Sequence, residues 1–230
     1  FFMAFAPENE YGIFFDSPAR SYFSFKTNDY RYSTCDNHLD FYVLDGNPKK
    51  IIEDYTTLTG KPYFPPLWGF GYHQSRYTYI TEKEVLTVAS NLQNNNIPTD
   101  VIYLDIDFMS NRMAFTYNTS NFPNPKEMME TLKKMGIRTV AIVDPGIKID
   151  TNYWVYRSGL ENEAFLQLRG KEYHGTVWPG MCAFPDFTKP KARAWWGELY
   201  RFLTDLGIAG FWNDMNEPSV FSSGTLTLPD

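Results

Sequence analysis

Gly210-Phe211-Trp212-Asn213-Asp214-Met215-Asn216-Glu217-Pro218-Ser219 joins a short apolar run to a segment that cannot continue a strand. Ile208 to Trp212 has the length and β-prone character of a buried strand, whereas Asn216, Pro218 and Ser219 stop it and open a turn. Asp214 therefore falls at the carboxyl end of a strand. Asp and Asn favour turns on their own account, so this stretch decides the fold only if the same arrangement recurs.

It does recur. After Pro66 the sequence alternates strands with amphipathic helices, the pattern of βα units and a parallel sheet. Leu67 to Tyr72 reads as the first strand. Thr81-Glu82-Lys83-Glu84 forms a capping box, and Val85, Leu86, Ala89 and Leu92 give the helix that follows one apolar face. Val101 to Ile106 is the second strand. Pro125 opens a helix with Met128, Met129, Leu132 and Met135 on its inner side and Gly136 as its stop. Ile137 to Val143 is the third strand, ending in Asp144-Pro145-Gly146. A long excursion follows, through Tyr153 to Leu168 and a β segment around Tyr173 to Trp178. A helix then starts at Pro190, carrying Trp195, Leu199, Phe202 and Leu206, and leads to Ile208–Trp212 as the fourth strand.

Carboxylates thus sit at the same end of consecutive parallel strands. Strand two ends Leu104-Asp105-Ile106-Asp107, strand three ends Val143-Asp144 and strand four ends Asn213-Asp214. In a βα barrel that end is the active face. A single Asp there is readily a cap; three at equivalent places are harder to dismiss. A carboxylate cluster beside Trp178 and Trp212 suits glycoside cleavage, in which one carboxylate attacks or stabilises an oxocarbenium-like centre and others hold hydroxyls. Magnesium or calcium binding is the competing use of clustered oxygens and stays open, with no EF-hand or phosphate loop to support it. His38, His73 and His174 are scattered, without a His-x-x-x-His pair, which argues against a catalytic zinc. His73, in Gly71-Tyr72-His73-Gln74-Ser75-Arg76-Tyr77, fits a pocket role as well as a structural one. No Gly-x-Ser-x-Gly elbow or paired Cys and His offers another nucleophile.

Before Pro66 the pattern is different. Residues 1 to about 48 alternate aromatic and polar positions, as in Tyr22-Phe23-Ser24-Phe25 and Phe41-Tyr42-Val43-Leu44, with turn signals at Ser17-Pro18 and Asp45-Gly46-Asn47-Pro48. These read as antiparallel strands, the last part of a β-sandwich. A helical linker over Ile51 to Leu58 and the break Lys61-Pro62-Tyr63-Phe64-Pro65-Pro66 then separate residues 1–60 from 61–230.

With 230 residues, 43% hydrophobic and 21% charged, the chain can bury a sizeable core. The 18% aromatic content suits stacking on sugars as well as core packing. A net charge of −6 without clustered Lys and Arg argues against a nucleic-acid partner. No apolar run approaches the roughly 20 residues of a membrane span. Cys35 and Cys182 are too few and too far apart to announce a disulfide framework or a metal site, which favours free thiols and a reducing compartment.

These segments resemble glycoside hydrolase family 31, specifically its α-glucosidases, through most of the chain. Trp212-Asn213-Asp214-Met215-Asn216-Glu217-Pro218 is similar to the family's nucleophile signature, which implies that Asp214 forms the covalent glycosyl intermediate. Asp105-Ile106-Asp107-Phe108-Met109 resembles the segment whose first Asp binds hydroxyls of the cleaved sugar. The same resemblance makes Ile106, Trp178 and Trp212 lining residues, Trp178 coming from Val177-Trp178-Pro179-Gly180. Asp144-Pro145-Gly146 and Phe184-Pro185-Asp186-Phe187 match family segments that support the pocket, and Asp107, Glu217 and His73 join Asp144 and Asp186 in that supporting role.

The resemblance implies a (β/α)8 TIM-barrel type α/β fold, of which about the first four βα units are present, with an insertion after strand three. It implies a retaining α-glucosidase without cofactor or metal, acting on α-glucosides or malto- and isomalto-oligosaccharides. The family's acid/base aspartate belongs to a later barrel strand, so the expectation is a piece of a larger enzyme, completed by its remainder or by a homo-oligomer. A carbohydrate-binding or structural fragment without turnover and an α-transglucosylase are the alternative readings.

Overall fold

The computed structural model describes residues 1–6, 9–27 and 29–221, and the chain divides into two compact units, Phe1–Phe64 and Pro65–Asp230.

The first unit is β-rich. Strands β1 (Phe2–Ala6) and β2 (Asn9–Phe15) pair antiparallel, β3 (Ser21–Lys26) and β4 (Asp29–Thr34) form a separate ribbon, and β5 (Phe41–Asp45) returns to pair with β2. The aromatic alternation seen in the sequence becomes ring packing, with Phe15 stacked on Tyr32 at 3.8 Å and Phe2 edge-on to Phe25 at 5.3 Å. Helix α1 (Pro48–Thr59) begins before Ile51 because the Asn47 side chain accepts the Lys49 and Lys50 N–H groups and Pro48 is preset for the first helical position. Its Ile51 is fully buried over Gly12, where a Cβ would lie 2.6 Å from Ile51 Cγ2. A residue without a side chain is what lets the helix approach the sheet there.

The second unit carries four parallel strands. In chain order its elements are β6 (His73–Gln74), α2 (Glu82–Asn94), β7 (Val101–Leu104), α3 (Pro125–Lys134), β8 (Arg138–Val143), β9 (Ile147–Lys148) and α4 (Trp154–Glu161). These are followed by β10 (Gln167–Leu168), β11 (Lys171–Glu172), β12 (His174–Val177), β13 (Gly180–Ala183), α5 (Pro190–Leu199), α6 (Arg201–Thr204) and β14 (Gly210–Asn213). The sheet order is β6-β7-β8-β14, each strand beside the next in the βα succession, as in one half of a (β/α)8 barrel. Strand β8 is buried along almost its whole length, from Thr139 to Val143. It therefore reads as continuous apolar sequence, as parallel strands covered on both faces do. Val85 and Ala89 of α2 and Met128, Met129 and Leu132 of α3 pack into the same core as Ile102, Leu104 and Ala141. The larger of these side chains, Val, Met, Leu and Ile, each contribute about 1.5–3 kcal/mol on leaving water.

The first strand is a correction. Leu67–Phe70 is a 3₁₀ turn, not a strand, and the strand is only His73–Gln74. Pro65 and Pro66 deliver the chain into a turn, and parallel pairing with β7 begins at His73 opposite Val101. The second strand likewise ends at Leu104, because Asp105 caps a 3₁₀ turn over Ile106–Phe108 through its own side chain. The excursion after β8 is a small sheet, β12-β13-β9, whose β12–β13 hairpin reverses at Trp178-Pro179.

Candidate active site

The register of the parallel strands sets the site. Asn213 lies opposite Val143, so Asp214 and Asp144 follow that pair at the ends of neighbouring strands, and the Asp214 N–H still donates to the Val143 carbonyl at 3.4 Å. Leu104 of β7 lies opposite Ala141 of β8, which brings Asp105 to the same end. The geometry thus gathers Asp105, Asp144 and Asp214 from three adjacent strands.

Their environments differ. Asp214 is half-buried and its Oδ1 accepts the Met215 N–H at 2.9 Å. Asp105 is 9% exposed and its Oδ1 accepts the Ile106 N–H at 2.7 Å. Burial raises its carboxyl above the usual range against the pull of that N–H, and the charges of Asp107 and Asp214 raise it further. Asp144 is 7% exposed, and among the described residues its Oδ1 is buried without a hydrogen-bond partner. Burial first, then the charges of Asp214 and Asp105, push its carboxyl up to about 7.

The turn that carries Asp214 is held from three sides. Met215 adopts a positive φ of 59°, the Asn216 side-chain amide donates to the Asp214 carbonyl at 3.0 Å, and the Ser219 N–H donates to the Met215 carbonyl at 3.2 Å. Non-glycine residues in this backbone region are uncommon and concentrate at functional sites. Met215 packs against the small apolar cluster of Leu166, Val177, Cys182 and Phe184, and Trp178 Nε1 donates to Met215 Sδ at 3.0 Å. Val220 and Phe221 continue onto the same hairpin: a Cβ on Gly175 would lie 2.6 Å from Val220 Cγ1, and the Phe221 N–H donates to the Thr176 carbonyl at 2.9 Å.

The aromatic residues occupy different walls. Trp178 is 45% exposed, edge-on to Phe221 on one side and beneath the Arg112 guanidinium, 5.8 Å from its ring, on another. Arg112 also pairs with Asp107 at 3.3 Å. Trp212 is partly buried and lies edge-on to Tyr103. The Tyr103 hydroxyl meets His73 Nδ1 at 3.0 Å, and His73 Nε2 faces the Trp68 carbonyl at 3.3 Å, which fixes His73 in the wall of the sheet. Ile106 is 3% exposed and belongs to the main core.

Two further expected residues lie together. Asp186 and Glu217 line a cavity of about 270 Å³ with Pro145, Phe184 and Asn216. Asp186 is buried, and burial alone would raise its carboxyl. The Thr188 hydroxyl and N–H, with Lys189, outweigh burial and hold it below the usual range. Glu217 precedes a cis peptide bond to Pro218.

Tyr103, Met215 and Arg112 are site neighbours that the strand-end reasoning did not single out. Tyr103 had a signal, a polar-tipped ring two positions before Asp105 on the same strand. Met215 and Arg112 had none, since their roles arise from positive-φ turns.

Acidic residues at one end of successive parallel strands are the arrangement of the active face of a (β/α)8 barrel. The glycosyl hydrolases family 31 TIM-barrel domain matches residues 62–230, and the chain belongs to that family. It is 48% identical over 226 residues to alpha-glucosidase 2 of Bacillus thermoamyloliquefaciens, covering 96% of this chain and 29% of that protein. It is 40% identical to neutral alpha-glucosidase AB of Sus scrofa over 87% of this chain and 22% of that protein. Among solved structures, the family 31 alpha-glucosidase of Bacteroides thetaiotaomicron superposes with a TM-score of 0.82 at 37% identity, over 92% of this chain and 36% of that one. The chain thus spans about a third or less of each of these relatives. Among the described residues no helix is long and apolar enough to cross a membrane.

Proposed function

We propose that the chain supplies the nucleophile half of a retaining α-glucosidase site, with Asp214 attacking the anomeric carbon of a terminal α-linked glucose. The observation that carries this reading is the convergence of Asp105, Asp144 and Asp214 at one end of three adjacent parallel strands. Asp214 is the member placed to attack, being half-buried rather than enclosed and held by the Met215 N–H. Asp105 accepts sugar hydroxyls, and Trp178 and Trp212 offer apolar faces to the ring, with Ile106 closing the wall behind Asp105. Asp107, Asp144, Asp186, Glu217 and His73 hold these groups in place. The α-glucosidase names of relatives at 48% and 40% identity support the substrate class, malto- or isomalto-oligosaccharides being the natural form.

The glycosyl-enzyme forms when Asp214 Oδ bonds to the anomeric carbon and the leaving oxygen takes a proton from a second carboxyl group. In retaining enzymes the two groups stand roughly 5 Å apart. Asp214 cannot fill both roles, and we assign the proton donor to the later barrel strand that the family resemblance implies, in the remainder of the enzyme. Free thiols at Cys35 and Cys182 support a reducing, cytoplasmic setting. Incubation of the full-length protein with 5-fluoro-α-glucosyl fluoride tests the reading: a fluoroglucosyl adduct on the Asp214 peptide supports it, and an adduct on another carboxylate overturns it.

A further inference from the structure

The three strand-end aspartates cannot all be ionised at little cost, and the structure distinguishes among them. We propose that Asp144 is the neutral member of the cluster, carrying a proton beside Asp214, and is thereby a positioning residue for the nucleophile. This rests on the reading of Asp214 given above.

The geometry separates the roles. Asp214 is half-buried and its Oδ1 takes the Met215 N–H. Asp144 has 7% of its surface exposed, and among the described residues its Oδ1 is enclosed with no donor. An enclosed carboxylate oxygen without a donor is among the most costly arrangements in a protein, and protonation removes that cost. Asp186 shows the contrast: it is 2% exposed, yet Thr188 and Lys189 satisfy it and hold its carboxyl below the usual range. Among the described residues, the buried acid whose Oδ1 has no donor is the one on the strand next to the nucleophile's.

The charged neighbours act in the same direction. Asp105 at the end of β7 and Asp214 at the end of β14 both oppose a charge on Asp144. Lys148 on β9 and Cys182 on β13 lie opposite each other in register beyond the Asp144 turn, and the field of Lys148 acts on Cys182. Asp186 and Glu217 line the cavity beside Pro145 and are also acidic. The turn packs closely on the β12–β13 hairpin, where a Cβ on Gly146 would lie 2.4 Å from Val177 Cγ2. Like charges at neighbouring strand ends disfavour ionising every carboxyl of the cluster. A neutral Asp144 keeps a further like charge away from Asp214, the group with access to the substrate.

An infrared difference titration of the full-length protein from about pH 5 to 9 reads this directly. The wild type is expected to show a protonated-carboxyl carbonyl band that disappears near neutral pH, and Asp144→Asn to lack it. Carbon-13 NMR of aspartate-labelled wild type gives the same titration without a variant, should Asp144→Asn fold poorly. The rate of trapping by a glucosyl fluoride, whose fluoride leaves without a proton donor, should change severalfold through that transition in wild type and stay level in Asp144→Asn. A spectrum with no Asp144-dependent protonated band at pH 5 to 6 overturns the proposal. A band without any α-glucoside turnover supports the proton on Asp144 and instead removes the proposed function.

Discussion

The indole N–H of Trp178 donates to the sulfur of Met215 at 3.0 Å, which ties the tip of the β12–β13 hairpin to the turn that carries Asp214. Two segments 37 residues apart are joined at the candidate nucleophile by one side-chain bond and the apolar cluster beneath it. Trp178→Phe keeps an aromatic face and removes the donor; Trp178→Ala removes both. In the full-length enzyme KM for a glucoside should rise roughly threefold in the first and tenfold or more in the second. Steady-state kinetics on an aryl α-glucoside checks this, and equal effects would contradict stacking by the ring.

Asp214→Asn should lower kcat by roughly ten-thousandfold while leaving the fold intact, since the Met215 N–H can still be accepted by the amide oxygen. Circular dichroism and kcat on one preparation separate loss of chemistry from loss of structure.

Gly146→Ala places a methyl group 2.4 Å from Val177 Cγ2, in a turn fixed on both sides. A destabilisation of about 1–3 kcal/mol is expected, with a lower kcat, because the shifted turn carries Asp144. Chemical denaturation gives the first quantity, and unchanged stability would show that the turn yields.

Asp186 contributes stability of the usual depressed-carboxylate kind. Its folded value lies below the ordinary 3.8, so the contribution is present above that pH and fades as pH falls through the folded value. Asp186→Asn should cost about 1–3 kcal/mol near neutrality, and the gap from wild type should narrow in acid. Thermal midpoints against pH check the convergence.

Asp144 has the opposite sign. Its carboxyl is raised from 3.8 to about 7, so the folded state binds the extra proton. Its contribution is complete below about pH 3.8 and is lost as pH rises through 7. The loss is at most about 4 kcal/mol, and less where solvent reaches the carboxyl. Asp144→Asn should therefore flatten the fall in thermal midpoint between about pH 4 and 7, and an unaltered slope would assign that proton uptake elsewhere.

Much of this was legible in sequence because parallel strands announce themselves by apolar runs and by what stops them. Val101–Leu104, Arg138–Val143 and Gly210–Asn213 are such runs, each followed by an aspartate. The first strand was not legible. Leu67-Trp68-Gly69-Phe70 is as apolar as a strand, and only the pairing of His73 with Val101 shows where the ladder starts. The different states of Asp105, Asp144 and Asp186 were hidden too, because a donor such as the Thr188 hydroxyl or the Ile106 N–H is a property of turns that residue spacing does not disclose.

Intact-mass analysis of the full-length protein after 5-fluoro-α-glucosyl fluoride, followed by peptide mapping, tests the central claim most directly. The account predicts a gain of one fluoroglucosyl unit on the peptide containing Asp214, absent in Asp214→Asn. A stable adduct on Asp105, Asp144 or any other carboxylate, or turnover of an α-glucoside retained in Asp214→Asn, would contradict it.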